Sequence, residues 1–293
     1  MKKEFETSMV GELTFFLGLQ VKEKKEGIFI SQEKYAQNIV KKFGLDFKKH
    51  ASTPMSSSTK LNVDSSGVKV SSTLYRSIIR SLLYLTISRP DIAFSVGVCA
   101  RYQVAPKESH LTVVKRIIRY VNGTPDYGLW YSKDSNACLV GHSDANWAGI
   151  VDDRKSTSGG YLYLKNNLVS WMSKKQNSVS LSTAKAEYIA VGSCCTQLLW
   201  MKKLLHDYGI PQDTMCVFCD NTSAINLSKN PVQHSKSKHI EIRYHFIQDL
   251  VKDKVVCLEF IHTDNQKAHI FTKPLDGPQF ESLRKTIGVG IIP

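Results

Sequence analysis

Three acidic residues occur in contexts suited to chemistry. They are Asp144 in Gly141-His-Ser-Asp-Ala-Asn-Trp-Ala-Gly149, Glu187 in Ser182-Thr-Ala-Lys-Ala-Glu-Tyr188, and Asp220 in Val217-Phe-Cys-Asp-Asn-Thr-Ser-Ala224. Periodicity places Asp144 in a strand, Glu187 in the first turn of a long helix, and Asp220 where another strand hands over to a helix. Carboxylates delivered by separate elements suit a hard divalent cation, which prefers oxygen ligands and keeps several waters. Two such ions about 4 Å apart can clamp the attacking and leaving oxygens of a phosphodiester. Taken singly, each acid reads equally well as a solvated surface residue. The joint placement is what points to a site.

The elements that must position these acids fall into two stretches. Residues 13–21 and 28–31 read as a hairpin around a charged turn, followed by a helix over 32–43. Residues 51–72, rich in Ser and Thr with Pro54, read as a connector. Helices are expected over 74–88, 91–103 and 108–121, the last closed by Asn122-Gly123. After Gly123 the pattern predicts strands at 127–131, 138–147, 158–165 and 168–174. A long helix over 183–208 follows, its apolar positions Ala186, Ile189, Ala190, Cys194, Leu198, Met201 and Leu205 at helical spacing. A buried strand up to Asp220, helices over 222–229 and 239–252, a strand at 255–262 and a closing helix from 265 complete the run. Antiparallel strands, a helix, then two strands with helical crossovers imply a mixed sheet covered by helices.

Composition bounds the alternatives. The chain has 293 residues, 42% hydrophobic, with a formal net charge of +13. That charge points to polyanionic partners, nucleic acid before membrane, against the plainer reading of a basic surface. Seven cysteines, an odd count scattered through apolar segments, do not form a secreted disulfide framework. Cys216 and Cys219 are three apart on a predicted strand and face opposite sides, so they read as structural thiols. The start, Met1-Lys-Lys-Glu-Phe-Glu, lacks the apolar core of a signal peptide. The most apolar stretch, 77–100, is interrupted by Arg80, Arg89, Pro90 and Asp91, so no membrane partner is expected. An intracellular location follows, with cytoplasm and nucleus left open.

Several separated motifs resemble one family. Gly11-Glu-Leu-Thr-Phe-Phe-Leu-Gly18, Leu74-Tyr-Arg-Ser77 and Ser88-Arg-Pro-Asp91 look like the C-terminal part of copia-type LTR retrotransposon Pol polyproteins. So do Ser143-Asp-Ala-Asn-Trp-Ala148, Arg154-Lys-Ser-Thr-Ser-Gly159, Ser170-Trp-Met-Ser-Lys-Lys-Gln176, Cys219-Asp-Asn-Thr-Ser-Ala224, Lys238-His-Ile-Glu-Ile-Arg-Tyr-His245 and Phe271-Thr-Lys-Pro-Leu275. The resemblance implies an α/β chain in which a ribonuclease H-like mixed five-stranded sheet with helices follows a smaller α+β remnant of reverse transcriptase. Its expected divisions are 1–50, the end of the polymerase palm; 51–72, a linker; 73–135, a helical thumb- or connection-like region; 136–275, the ribonuclease H-like domain; and 276–293, a tail.

By the same resemblance Asp144, Glu187 and Asp220 match the family's first three metal-binding carboxylates. Its last motif usually reads Ala-Asp-Ile-Phe-Thr-Lys, whereas this chain has Ala268-His269-Ile-Phe-Thr-Lys273. Imidazole ligates manganese or zinc and is a poor magnesium ligand, so the implied cofactor is a pair of Mg2+ or Mn2+ ions with Mn2+ favoured. Lys185 stands where the family carries Glu, and a surface position is expected for it. Asn146, Gln176, Ser182, Thr183 and Asn221 are candidates for contacts to RNA 2′-hydroxyls, with turn or cap roles as the alternative. Lys174, Lys175, Arg154, Lys155, Lys236 and Lys238 are candidates for phosphate contacts. His234, His239 and His245 lack nearby cysteines and sit among lysines, which argues against zinc. His262, just after the last strand, is a candidate for proton transfer or product release. The family's polymerase Tyr-x-Asp-Asp motif is not matched, and Asp152-Asp153 is expected in a solvated hairpin loop, so no polymerase activity is expected. Two functions follow: cleavage of RNA in RNA–DNA hybrids, impaired or not by His269, or a catalytically dead remnant that binds nucleic acid. The remainder of a polyprotein is a further possible partner.

Overall fold

The computed structural model describes residues 14–43, 49–133, 138–229 and 238–292, with the side chains of 238–244 left out. The expectations for Leu13, His234 and Lys236, and for the side chains of Lys238 and His239, lie outside the described residues. The chain opens with β1 (Phe15–Phe16), β2 (Leu19–Lys24), β3 (Gly27–Ser31) and α1 (Glu33–Lys42). The single strand expected over 13–21 is two, because Leu17 and Gly18 both adopt positive φ and turn the chain sharply between Phe16 and Leu19.

Residues 51–71 carry no regular helix or strand, yet Thr53 and Met55 are buried, and the Arg116 guanidinium donates to the Thr53 carbonyl and hydroxyl. Then come α2 (Ser72–Leu85), α3 (Ala93–Ala100) and α4 (Glu108–Asn122). A buried ion pair fixes their corner. Arg89 donates two bonds to the Asp91 carboxylate, at 3.0 and 2.8 Å, and a third to the Thr124 carbonyl at 2.6 Å just beyond α4; the Tyr120 hydroxyl donates to Asp91 at 2.7 Å. The bidentate geometry and extra partners compensate the charges for leaving water.

The second half follows as β4 (Gly128–Ser132), β5 (Leu139–Asn146), β6 (Thr157–Leu164), β7 (Asn167–Lys175), α5 (Thr183–Asp207), β8 (Met215–Cys219), α6 (Thr222–Lys229), α7 (Lys238–Lys252) and β9 (Val256–Phe260). Sheet order is β7-β6-β5-β8-β9, antiparallel through β7, β6 and β5 and parallel from β5 to β8 to β9. This is the mixed five-stranded sheet with helices implied by the sequence. Helix α5 starts where Ser182 accepts a bond from the Lys185 N–H, and it buries Ala186, Ala190, Cys194 and Leu198. It approaches β5 closely because Gly141 has no side chain: a Cβ there would lie 2.7 Å from Cys194 Sγ. Of the side chains that α5 buries, the fully buried Leu198 contributes about 1.5–3 kcal/mol.

Two expectations are corrected near the end of the chain. The helix expected from residue 265 is two short 3-10 turns, Thr263–Asn265 and Lys267–Phe271, interrupted by extended backbone at Gln266. The expected tail is folded as α8 (Gly277–Thr286) and β10 (Val289–Gly290), with Asp276 capping the helix and β10 pairing with β4. That pairing completes a second, antiparallel sheet in the order β1-β2-β3-β4-β10. Phe280, Leu283, Ile287 and Val289 are buried in the same core as Ile79, Leu82, Ile117 and Ile118.

That core also takes in Tyr161, Leu168, Ile270 and Phe271, so the two halves share apolar packing across the boundary expected at 135/136. Polar links reinforce it. The Ser132 N–H donates to Asn167 Oδ1 at 2.8 Å, and Arg101 donates to the Thr157 hydroxyl at 3.0 Å. Among the described residues, no helix is long and apolar enough to cross a membrane. If the last segment belongs to the core, Phe280→Ala should cost about 3–5 kcal/mol, as for other buried aromatic truncations. Chemical denaturation checks this; a cost near zero would mean that residues 276–293 are an appendage.

Candidate metal centre

The three acids converge at the carboxyl ends of two parallel strands in the middle of the sheet, not at its edge. Asp144 lies near the end of β5, in register with Gly159 of the antiparallel neighbour β6. Asp220 follows immediately on β8, the parallel neighbour on the other side. Glu187 comes from the first turns of α5 and is fastened to β5: the Ala145 N–H donates to its Oε1 at 3.0 Å. Its Oε2 is buried without a hydrogen-bond partner.

Gly159 makes room for the fourth contributor. A Cβ at Gly159 would sit 2.6 Å from Thr272 Cγ2 and 3.0 Å from the Ala268 carbonyl, so the 267–272 segment rests directly on bare backbone. Seated there, Thr272 donates its hydroxyl to Asp144 in a short hydrogen bond. His269 reaches the gap between strands, its Nε2 3.6 Å from Asp144 Oδ1 and 3.5 Å from Asp220 Oδ2. Ligand atoms of Asp144, Asp220 and His269 lie within 4.8 Å of one another, as do those of Glu187, Cys219 and Asp220.

One neutral side chain ties these pieces together. Gln266 is fully buried; its amide donates to the Ser143 carbonyl on β5 at 3.0 Å and to the Phe218 carbonyl on β8 at 3.4 Å. Its carbonyl oxygen accepts from the Ala268 N–H at 3.2 Å and lies 3.2 Å from His142 Nδ1. Gln266 therefore sets the spacing of the strand ends that carry Asp144 and Asp220, and also seats the His269 turn. Neither it nor Thr272 was a candidate site residue in the sequence, since their partners lie on strands distant along the chain.

Electrostatics record the crowding. Burial pushes the Asp144 carboxyl above its usual range, against the pull of His269, Thr272 and Lys273. Burial, then Asp144 and Asp220, push Glu187 up to about 9. Burial also works to raise Asp220, but hydrogen bonds and charge from His269, with the Thr263 hydroxyl, outweigh it and hold that carboxyl low. Half-buried Lys273 is a cation near the site that had not been singled out, although its Phe-Thr-Lys motif was visible. Buried like charges, an orphaned carboxylate oxygen and one nitrogen donor fit a divalent cation, the species that relieves such repulsion.

The other expected residues divide. Asn146 ends β5, its amide under Gly149, where a Cβ would meet Nδ2 at 2.3 Å. Asn221 caps α6, accepting from the Ala224 N–H at 2.9 Å, beside Asp220. Thr183 is exposed at the start of α5. Gln176 is corrected: it is buried, donating to the Ser158 hydroxyl and the Ala186 carbonyl and accepting from the Ser180 hydroxyl, so its amide is spent within the protein. Lys174 is exposed, while Lys175 pairs with Asp153 at 2.6 Å. Asp152 accepts from the Val63 N–H and the Tyr102 hydroxyl, so the Asp-Asp turn is engaged within the fold. His262 is exposed, with Nδ1 3.3 Å from Asp264.

No family model matches the chain. Curated relatives do. The Retrovirus-related Pol polyprotein from transposon RE2 of Arabidopsis thaliana is 36% identical over 294 residues, all of this chain and 20% of that protein. The corresponding polyprotein from transposon TNT 1-94 of Nicotiana tabacum is 34% identical over 299 residues, 99% of this chain and 22% of that protein. The chain thus spans about a fifth of the length of these relatives. Among solved structures, LC11-RNase H1 in complex with RNA/DNA hybrid aligns at 12% identity and a TM-score of 0.35, over 46% of this chain and 93% of that one. The foamy viral protease-reverse transcriptase in complex with dsDNA aligns at 10% identity and a TM-score of 0.49, over 85% of this chain and 44% of that one.

The raised Glu187 pKa has a consequence for stability in the ion-free protein. Folded Glu187 keeps its proton up to about 9, whereas an unfolded glutamate loses it near 4.5, so between these values the folded state holds the extra proton. Stability should therefore fall as pH rises through that window. Denaturant titrations in the presence of a chelator should show the decline, and Glu187→Gln should flatten it. An equal slope in wild type and variant would contradict the assignment.

Proposed function

Since the chain belongs to the copia-type retrotransposon Pol polyproteins, of which it spans about a fifth, we propose that its second half is a ribonuclease H-type nuclease cleaving the RNA strand of RNA–DNA hybrids. The observation that carries this reading is the convergence of Asp144, Glu187 and Asp220, with His269, at the ends of β5 and β8. Divalent ions held there supply an acidified water and charge neutralisation at the scissile phosphodiester.

The chain's own residues have distinct tasks. Asp144, oriented by Thr272 and linked to Asp220 through His269, would hold an ion together with Asp220 or Glu187. Glu187 offers its unpartnered Oε2. Asp220, the most acidic of the three, is ready to bind without first losing a proton. Asn146, Thr183 and Asn221, each within four residues of one of the carboxylates, would meet 2′-hydroxyls, and the exposed Lys174 would meet phosphate. Hydrolysis leaves a 5′ phosphate and a 3′ hydroxyl.

A second reading rests on one contact. His269 spans Asp144 and Asp220, so an imidazolium could occupy the charge balance that an ion would otherwise supply and leave a nucleic-acid binder without catalysis. Metal choice separates the two. With three carboxylates and one imidazole, manganese should support cleavage of a labelled hybrid and magnesium little. His269→Asp should raise magnesium-dependent cleavage by roughly tenfold or more, since even outer-shell metal partners are worth about 10–100-fold in affinity or activity. Asp144→Asn should abolish cleavage in both backgrounds. If folded His269→Asp gains nothing with either ion, the non-catalytic reading stands.

A further inference from the structure

A second cluster of side chains with sulfur and oxygen donors lies on the opposite face of β8 and β9 from α5. Cys216 of β8 is in register with Cys257 of β9, their Cα atoms 4.8 Å apart and their sulfurs joined as a disulfide. Strand alternation accounts for the placement. Met215, Val217 and Cys219 point into the core with Val256 and Leu258, which leaves Cys216 and Cys257 half-buried on the open side and Glu259 exposed beside them. Glu259 Oε1 lies 3.4 Å from Cys216 Sγ and 3.8 Å from Cys257 Sγ, and the three ligand atoms fall within 4.8 Å of one another. Cys216 precedes Asp220 by four residues, roughly 13 Å along an extended strand, so this group is separate from the carboxylate centre.

We propose that Cys216, Cys257 and Glu259, once the bond between the cysteines is reduced, form a site for a thiophilic d10 cation such as zinc. Reduction takes two electrons from a thiol or phosphine reductant, which ends as its disulfide or its phosphine oxide. It also takes two protons, from the thiols in the first case and from a water that gives its oxygen to phosphorus in the second, and leaves two thiols. Each thiol then releases a proton as its sulfur binds the ion, so two thiolates and one carboxylate face a divalent charge, and the open face admits water to a fourth position. Tetrahedral zinc with Zn–S bonds of about 2.3 Å needs sulfurs roughly 3.8 Å apart, a separation that side-chain rotation on in-register strands supplies without backbone movement. Sulfur donors select zinc or cadmium, whereas the oxygen-rich centre at Asp144 selects magnesium or manganese, so the two sites sort different ions. The oxidised and reduced states differ in whether this site exists. Disulfides are rare in reducing compartments, which favours the reduced, metal-competent state there.

Cadmium tests the proposal, because its bond to thiolate has an ultraviolet absorption that oxygen ligands do not produce. The full chain, reduced and freed of reductant without air, should take up one equivalent of cadmium with that absorption. Cys138→Ser, which removes the exposed thiol elsewhere, should keep it, as should Asp144→Asn, so failure here is distinguishable from failure of the nuclease reading. The double variant Cys216→Ser/Cys257→Ser and the oxidised wild type should lose it. Glu259→Gln, an exposed substitution that leaves the strands intact, should weaken binding by roughly tenfold or more, since even outer-shell partners are worth about that. No absorption in the reduced wild type, an absorption that survives in the double variant, or unchanged affinity in Glu259→Gln would each overturn the proposal.

Discussion

Everything in the second half of this protein is arranged around the cost of holding three carboxylates together in a buried place. Asp144, Glu187 and Asp220 have left much of their water and crowd one another, and burial first, then like charge, push the Glu187 and Asp144 carboxyls up. Such a cluster persists only if neighbouring structure over-determines it. Here the determinants are small or neutral: Gly141 lets α5 approach β5, Gly159 lets the 267–272 segment lie on β6, and Gln266 fixes β5 against β8. Thr272 then donates to Asp144, and His269 lies between Asp144 and Asp220.

The acids themselves were legible in the sequence because each lies at an element boundary that periodicity locates well. The alternation in β5 and β8 and the apolar stripe of α5 are strong signals, and their bounds agree closely with the structure. What could not be read were contacts whose effect depends on distance in space. Gln266 is one uncharged residue in a polar run, and nothing local distinguishes it from a loop glutamine, yet it bonds to two strands more than forty residues away. Gln176 illustrates the reverse error. As a polar residue near the expected site it was a candidate for substrate contact, with a turn or cap role as the alternative. Its amide is engaged by Ser158, Ser180 and the Ala186 carbonyl.

The first half was legible as elements but not as a body. Its helices lie close to the predicted ranges, and the buried Arg89–Asp91 pair explains why Ser88-Arg-Pro-Asp91 is a corner. Completion of its sheet by β10, from the opposite end of the chain, had no local signal: a two-residue strand is below what alternation can detect. The common core of Phe280, Phe271, Leu168 and Ile118 makes the two halves one packed unit. The turn carrying His269 is therefore braced from both sides, by Gly159 of β6 and by packing of Ile270 and Phe271 in that core.

The central claim is that the buried acids are a divalent-ion site. Anomalous diffraction from crystals soaked in manganese tests it without depending on turnover. The account predicts an anomalous peak coordinated by Asp144 together with Glu187 or Asp220, and its loss in Asp144→Asn crystals of the same form. Fully soaked crystals with no peak among Asp144, Glu187, Asp220 and His269, with His269 still spanning the two aspartates, would contradict it.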